Sequence, residues 1–294
     1  MKPPPFAYAV PRTVDQTLAL LAGAPDDTSL LAGGQSLVPL LNMRLARPTN
    51  VVDLNRVEGL GSIEAANGTV RIGSMVRQRT LETDPLVQER LPLVREAVSH
   101  AGHLAIRTRG TIGGSLAHAD PAAELPTTMV ALGARMVVRR ATGNDRVVPA
   151  AAFFLGPLTT AVEPGELLTA VEIDAPPAGT GWAFLEVARV HGAFALVGVA
   201  ALVRTDAGGH IDAASLALCG VGGAPYSPPG LDEMVRGEAP GETLFGAVGD
   251  RVAGSIDPPS DNHAGAEYRR RVAGVLTRRA LALAARRADA GAGR

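Results

Sequence analysis

Apolar and polar positions alternate between helical and strand periods in an order that outlines three lobes. Val14, Thr17, Leu18 and Leu21 share one helical face behind Thr13, and Gln16, three residues after that Thr, completes a capping-box start. Gly23 and Pro25 end this helix, Ser29–Ala32 reads as a strand, Leu37–Leu45 as a helix and Asn50–Leu54 as a second strand. Residues 1–55 therefore form a small β-α-β-like lobe. Asn67-Gly68 then marks a two-residue hairpin between Ile63 and Val70-Arg71-Ile72. Val87, Leu91, Val94 and Val98 give Leu86–Ser99 helical spacing, which stops at Gly102. Pro121 suits the first turn of a helix through Leu132, and Arg135–Arg140 and Leu167–Ile173 read as strands, making 56–175 a second lobe. Asp174–Gly179 is a linker. In the third lobe, 176–294, three strands (Trp182–Val187, Phe194–Val203, Ile211–Leu218) precede two helices, Glu242–Ile256 and Tyr268–Arg287.

Composition narrows the function classes. The chain has 294 residues, 46% hydrophobic and 19% charged, with a net charge of −1, so it can bury substantial cores. Its arginines are spread along the chain and form no basic patch, which argues against nucleic acid. The run Arg269-Arg270-Arg271, with Arg278-Arg279 and Arg286-Arg287, reads as a solvated helix face. A single cysteine, Cys219, excludes an internal disulfide and an iron–sulfur cluster held by this chain's own thiolates, and its surroundings read as a buried strand. The N-terminal segment lacks an apolar signal core and no apolar run is long enough to span a bilayer, so a cytoplasmic location is expected.

Two segments carry candidate chemistry: Leu31-Ala32-Gly33-Gly34-Gln35-Ser36-Leu37 and Thr111-Ile112-Gly113-Gly114-Ser115-Leu116. Each sets a Gly pair before a hydroxyl residue and an apolar run. Such a segment lets backbone N–H groups approach a phosphate, with a helix start adding a favourable dipole. Gly pairs alone mean little: 34 glycines predict roughly four Gly-Gly steps, and four occur. The context singles out these two, with ordinary tight turns as the alternative. Neither has the G-x-G-x-x-G pattern, and a P-loop is excluded because Lys2 is the only lysine. Two facing segments fit a diphosphate, hence a dinucleotide. His100, His103 and His118 have no Cys or Glu at metal-ligand spacing, so capping and packing are their expected roles.

Ala32–Leu37, with Leu40 to Arg47-Pro48 after it, resembles the FAD-binding medium subunit of molybdenum hydroxylases, the group of carbon monoxide dehydrogenase and the split xanthine dehydrogenases. The longer phrase Arg109–Pro126 is also similar, as are Phe6…Tyr8…Pro11, Gly165–Leu168, Phe194–Val197 and Tyr268–Arg270, so the resemblance spans essentially the whole chain. It implies an α+β fold: two α/β lobes of the vanillyl-alcohol-oxidase (PCMH) type clamping FAD, and a C-terminal lobe with a three-stranded antiparallel sheet and a helical bundle. It places Ala32, Gly33, Gly34, Gln35 and Ser36 on the FAD diphosphate, opposite Thr111, Ile112, Gly113, Gly114 and Ser115. With no Lys and few Arg near these segments, backbone N–H groups and hydroxyls should meet the diphosphate charge. Glu124 matches the acidic position at the adenosine ribose, with Asp120 beside it or capping the helix that Pro121 starts. Leu168 matches an apolar position near the isoalloxazine. Phe194 matches an aromatic beside the flavin, with a core strand residue as its alternative.

The chain departs from the family at Gly192-Ala193, where many relatives have Gly-Asp, at Gln35, often His, and near Leu185, where an expected basic or Tyr position has no clear match and nothing is carried over. The implied activity is electron transfer: FAD takes electrons from a 2Fe–2S small subunit, fed by a molybdopterin-binding large subunit, and passes them to NAD⁺, a quinone or oxygen. No side chain of this chain is expected to be catalytic, no metal is expected in it, and the assembly is expected to be a dimer of heterotrimers. The alternative is a self-sufficient FAD-dependent oxidase or dehydrogenase of a small organic substrate. That needs a general base near flavin N5, and no convergent His/Tyr/Arg set demands one. A scaffold without FAD is opposed by the two intact Gly segments.

Overall fold

The Thr13 hydroxyl accepts from the Gln16 N–H at 3.2 Å and starts the helix Val14–Gly23, while the Gln16 side chain reaches back to the Arg12 N–H at 2.8 Å. The computed structural model describes residues 2–292; Met1, Gly293 and Arg294, at the ends of the expected first and third lobes, lie outside them. Three strands, β1 (Ala7–Ala9), β2 (Thr28–Leu31) and β3 (Asn50–Asp53), form a parallel sheet in the order β1-β3-β2. Pattern reading missed β1, whose three residues pair only with β3, a strand more than 40 residues away.

The second sheet contains β4 (Ile63–Ala66), β5 (Thr69–Gly73), β6 (Arg135–Arg140), β7 (Arg146–Pro149) and, from a later segment, Glu166–Asp174. A two-stranded ribbon, β8 (Phe154–Gly156) and β9 (Thr159–Thr160), precedes that segment, which is therefore β10. The order is β4-β5-β10-β6-β7, antiparallel throughout. Leu167 on β10 packs with Leu18, Leu21 and Val52, so the first two sheets share a hydrophobic cluster.

The expected helix Leu86–Ser99 is two helices, Pro85–Arg90 and Pro92–His100. Proline disfavours the helical region in the residue before it, and Leu91 takes φ −133°, ψ 53°. The helix expected from Pro121 begins at Glu124 and ends at Ala131; Asp120 accepts from the Ala122 N–H at 2.8 Å in a turn and does not cap it. The helix after the first Gly segment is Leu37–Asn42, closed by Arg44 in the left-handed region at φ 59°.

The last sheet, β11 (Thr180–Ala188), β12 (Ala195–Thr205) and β13 (Ile211–Cys219), is antiparallel, as expected. Helices Glu242–Ser255 and Ala266–Ala292 cover one face, with Val197, Val199, Leu218, Phe245 and Val252 in the core between. Its other face meets the second lobe through Phe184, Ala200 and Ala217 against Leu93, Ala97 and Ala131. Cys219 is fully buried there, and burial pushes its thiol up to about 12, which makes it an inert core residue. No helix among the described residues is long and apolar enough to cross a membrane.

Candidate cofactor site

Residues on and around the first, second and last sheets line a half-open cavity of about 930 Å³, within the roughly 300–1,000 Å³ usual for small-molecule sites. Of the residues singled out from sequence, Ala32, Gly33, Gly34, Gln35, Ser36, Thr111, Gly113, Gly114, Ser115, Asp120, Glu124, Leu168 and Phe194 all line it. Ile112 does not: its side chain is fully buried in the core of the second lobe.

The two Gly segments differ in build. Residues 33–36 are a loop after β2, with Gly34 at φ 75° and the Gln35 amide donating to the Gly33 carbonyl at 3.1 Å. The main-chain N–H groups of Gly33, Gly34, Gln35 and Ser36 donate to no group among the described residues. In the second segment the Gly pair lies in the first turn of a helix, Ile112–His118. Its N–H groups are engaged: Ile112 with the Val76 carbonyl at 3.0 Å, Gly113 with Ser74 at 2.8 Å, and Gly114 with the capping Thr111 hydroxyl at 3.0 Å. Gly113 serves close packing, because a Cβ there would stand 2.6 Å from the Ser74 carbonyl oxygen. The first segment is the open donor nest, and the second contributes hydroxyls and a helix start.

Several residues at the cavity carry no strong signal in sequence. Ser74 and Gln78 line it, and Ser74 Oγ and Gln78 Oε1 are buried without a hydrogen-bond partner. Arg269 is 4% exposed and joins the Leu196 carbonyl, the Gly220 carbonyl (3.1 Å) and Asp261 (2.7 Å). It belongs to the run read as a solvated face; Arg271, Arg278, Arg279 and Arg286 are exposed there, but Arg269 is not. Asp261 and His263 also line the cavity, and Arg189 meets His263 at 3.5 Å. Phe194 is 70% exposed and precedes β12, so it is no core strand residue.

Electrostatics differ between carboxylates. Burial pushes the Glu124 carboxyl up to about 7, with Glu186 and Asp120 adding to the rise and His100 opposing it. His100 Nδ1 lies 3.3 Å from Glu186 Oε1, and that bond raises the imidazole above its ordinary value against the effect of burial. Glu166 is buried too, yet its carboxyl is held low: the hydrogen bonds from Arg146 and the Glu163 N–H outweigh desolvation. His118 ends its helix at the cavity wall, where Ala119 takes φ 51° and turns the chain toward Asp120.

These features fit a bound dinucleotide: an open N–H nest, hydroxyls opposite, orphaned polar atoms in the wall, and a buried carboxyl able to exchange hydrogen bonds with hydroxyls. Comparison with known proteins agrees. Residues 4–176 match the family described as FAD binding domain in molybdopterin dehydrogenase, and residues 182–284 match CO dehydrogenase flavoprotein C-terminal domain. The chain is 40% identical to caffeine dehydrogenase subunit beta of Pseudomonas sp. (strain CBB1), covering 98% of this chain and 97% of that one. It is 35% identical to the carbon monoxide dehydrogenase medium chain of Hydrogenophaga pseudoflava over 96% and 97%. Among solved structures, carbon monoxide dehydrogenase from Hydrogenophaga pseudoflava superposes with TM-score 0.94 at 35% identity, covering 98% of this chain and 99% of that one. Quinoline 2-oxidoreductase from Pseudomonas putida 86 does so with TM-score 0.93 at 37% identity, over 98% and 99%.

Proposed function

Because the chain belongs to the family of FAD-binding medium subunits of molybdenum hydroxylases, we propose that it relays electrons through FAD, from a 2Fe–2S subunit to an acceptor such as NAD⁺, a quinone or oxygen. The observation that carries the placement of FAD is the loop 33–36, with unengaged N–H groups and Gly34 at φ 75°, facing the Thr111–Ser115 segment across one cavity. In this reading the loop N–H groups, with the Ser36, Thr111 and Ser115 hydroxyls, hold the diphosphate. Glu124, with Asp120 near it, exchanges hydrogen bonds with the adenosine ribose. Leu168 and Phe194 flank the isoalloxazine and exclude water from it. FAD supplies the redox chemistry when bound, and the protein supplies placement. No acid–base side chain of this chain is assigned a catalytic role.

The electron donor must be a separate polypeptide, since one buried cysteine cannot hold an iron–sulfur cluster. A molybdopterin-binding large subunit and a 2Fe–2S small subunit complete the assembly, as a dimer of heterotrimers in keeping with closed symmetry. Acid precipitation should release one equivalent of free FAD per chain into the supernatant. Release of FMN, or a chain that cannot be loaded with FAD, overturns the assignment. The isolated subunit should oxidise no aldehyde, purine or CO, and adding the two partner subunits should restore turnover with flavin reduction. Rapid flavin reduction by an organic substrate in the isolated chain would favour the self-sufficient oxidase.

A further inference from the structure

Sequence reading expected few arginines near the Gly segments, yet the fold brings one between them. Arg77 follows β5 and pairs through its backbone with Thr111 as an isolated antiparallel bridge. The neighbouring main chain reinforces this link, Gln78 N–H to the Gly110 carbonyl at 2.9 Å and Ile112 N–H to Val76 at 3.0 Å. From that anchor the guanidinium spreads over two acceptors. Nη1 donates to the Arg109 carbonyl, just before the second Gly segment, and Nη2 donates to Asn55 Oδ1 at 2.6 Å. The amide of Asn55 donates in turn to the Ala32 carbonyl at 3.0 Å, at the start of the first Gly segment. The chain of contacts Ala32–Asn55–Arg77–Arg109 thus joins the two segments behind the cavity.

Two further observations give this link a purpose. Gly33 packs directly on Arg109 and Gly110, so the segments touch beside the residues that the link joins. The half-buried guanidinium forms no ion pair among the described residues; its acceptors are an amide and a carbonyl. Asp53, the acidic group that acts on its charge, is hydrogen-bonded by Tyr8 and Asn55. Burial and the neighbouring Arg109 press against the charge of Arg77, and Asp53 offsets them in part. A cation that no ion pair neutralises, joined to an anion nest, complements a diphosphate.

We propose that Arg77 and Asn55 are positioning residues for the cofactor, a clamp that sets the spacing of the two Gly segments and lends positive charge to the diphosphate. The proposal rests on the reading of the cavity as an FAD site. Neither residue lines the cavity, so they act through the segments they hold.

The test titrates the full chain, stripped of flavin, with FAD and follows flavin fluorescence, with ADP and adenosine as competitors and melting of the flavin-free chain as control. Arg77→Met, which removes charge and fork, should raise the FAD Kd at least about 30-fold. Arg77→Lys keeps the charge without the fork and should recover part of that loss, to within about tenfold of wild type. Asn55→Ala should cost about tenfold, and the double variant should be little worse than Arg77→Met alone, because both break one link. ADP binding should fall with FAD binding while adenosine binding holds, and the flavin-free chains should melt within about 3 °C of wild type. If wild type binds FAD and both single variants stay within twofold of it, the clamp is refuted and the cofactor reading stands. An affinity loss that follows melting temperature, with no recovery in Arg77→Lys, also refutes the clamp. A wild-type chain that takes no FAD overturns both.

Discussion

Gly33→Ala tests whether contact between the lobes controls the cofactor site. A Cβ at Gly33 would collide with the Arg109 carbonyl oxygen and lie 2.7 Å from Gly110 Cα. Carbon atoms in ordinary contact sit about 3.5–4.0 Å apart, so the two segments must separate by about 1 Å. Both obstacles are backbone, and neither rotates away. Overpacking of this kind costs about 1–3 kcal/mol, a fall of roughly 2–10 °C in the melting temperature of a chain this long. The effect on FAD is larger. Moving donors near 2.9 Å out by about 1 Å takes them beyond hydrogen-bond range. Two lost bonds to a charged phosphate, at about 1.5–3 kcal/mol each, weaken binding by roughly 10²–10⁴-fold. Flavin-fluorescence titration and melting of the flavin-free chain read the two effects separately. Gly23→Ala is the control: a Cβ there meets nothing within 4 Å, and it should bind FAD as wild type does. Wild-type melting and a Kd within twofold in Gly33→Ala would show that the segments do not hold the cofactor between them.

Three other outcomes follow from the same geometry. Phe194→Ala removes a side chain that is 70% exposed, so melting of the flavin-free chain should change by under about 0.5 kcal/mol while the absorption or fluorescence of bound flavin shifts; an unaltered flavin spectrum would remove Phe194 from the site. Glu124, raised from 4.5 to about 7, stays protonated in the folded chain after the unfolded chain has ionised, so stability should fall by up to about 3 kcal/mol as pH rises through that window. His100, also raised, loses stability in the same direction above its ordinary value. Denaturation at pH 4.5 and 8 should show a shallower fall in Glu124→Gln, and an equal fall in both chains would refute the assignment. Arg146→Met strips the main partner from Glu166, whose side chain is 5% exposed, and should cost about 1–3 kcal/mol, most of it recovered in the double variant with Glu166→Gln.

What could be read from sequence was what neighbouring residues decide between themselves. Thr13 caps its helix through Gln16, and Asn67-Gly68 turns β4 into β5, because each signal is complete within a few residues. The strands of the last sheet declared themselves by long apolar runs, as expected of a sheet covered on both faces. The error at Pro92 was of another kind: the apolar spacing of Leu91, Val94 and Val98 ran on across a residue whose ring forbids the continuation, and local sterics overrode periodicity.

The site divides along the same boundary between near and far. A Gly pair is visible wherever it occurs, but its task is set by what stands opposite. Gly34 opens a nest because nothing among the described residues takes its neighbours' N–H groups, whereas Gly113 yields space to Ser74, nearly 40 residues earlier in the chain. Arg269 was counted with a charged face because Arg271, Arg278, Arg279 and Arg286 of the same run are exposed there; its acceptors, Leu196 and Gly220, are 73 and 49 residues away. Arg77 reaches Asn55 and Arg109 across separations of 22 and 32 residues, without a motif. Residues proposed to touch the cofactor sit in phrases a reader can find, while those proposed to hold the phrases in register are scattered, since any distant side chain with the right reach can serve. Sequence patterns therefore locate the surface of a site of this kind and leave its supports to the fold.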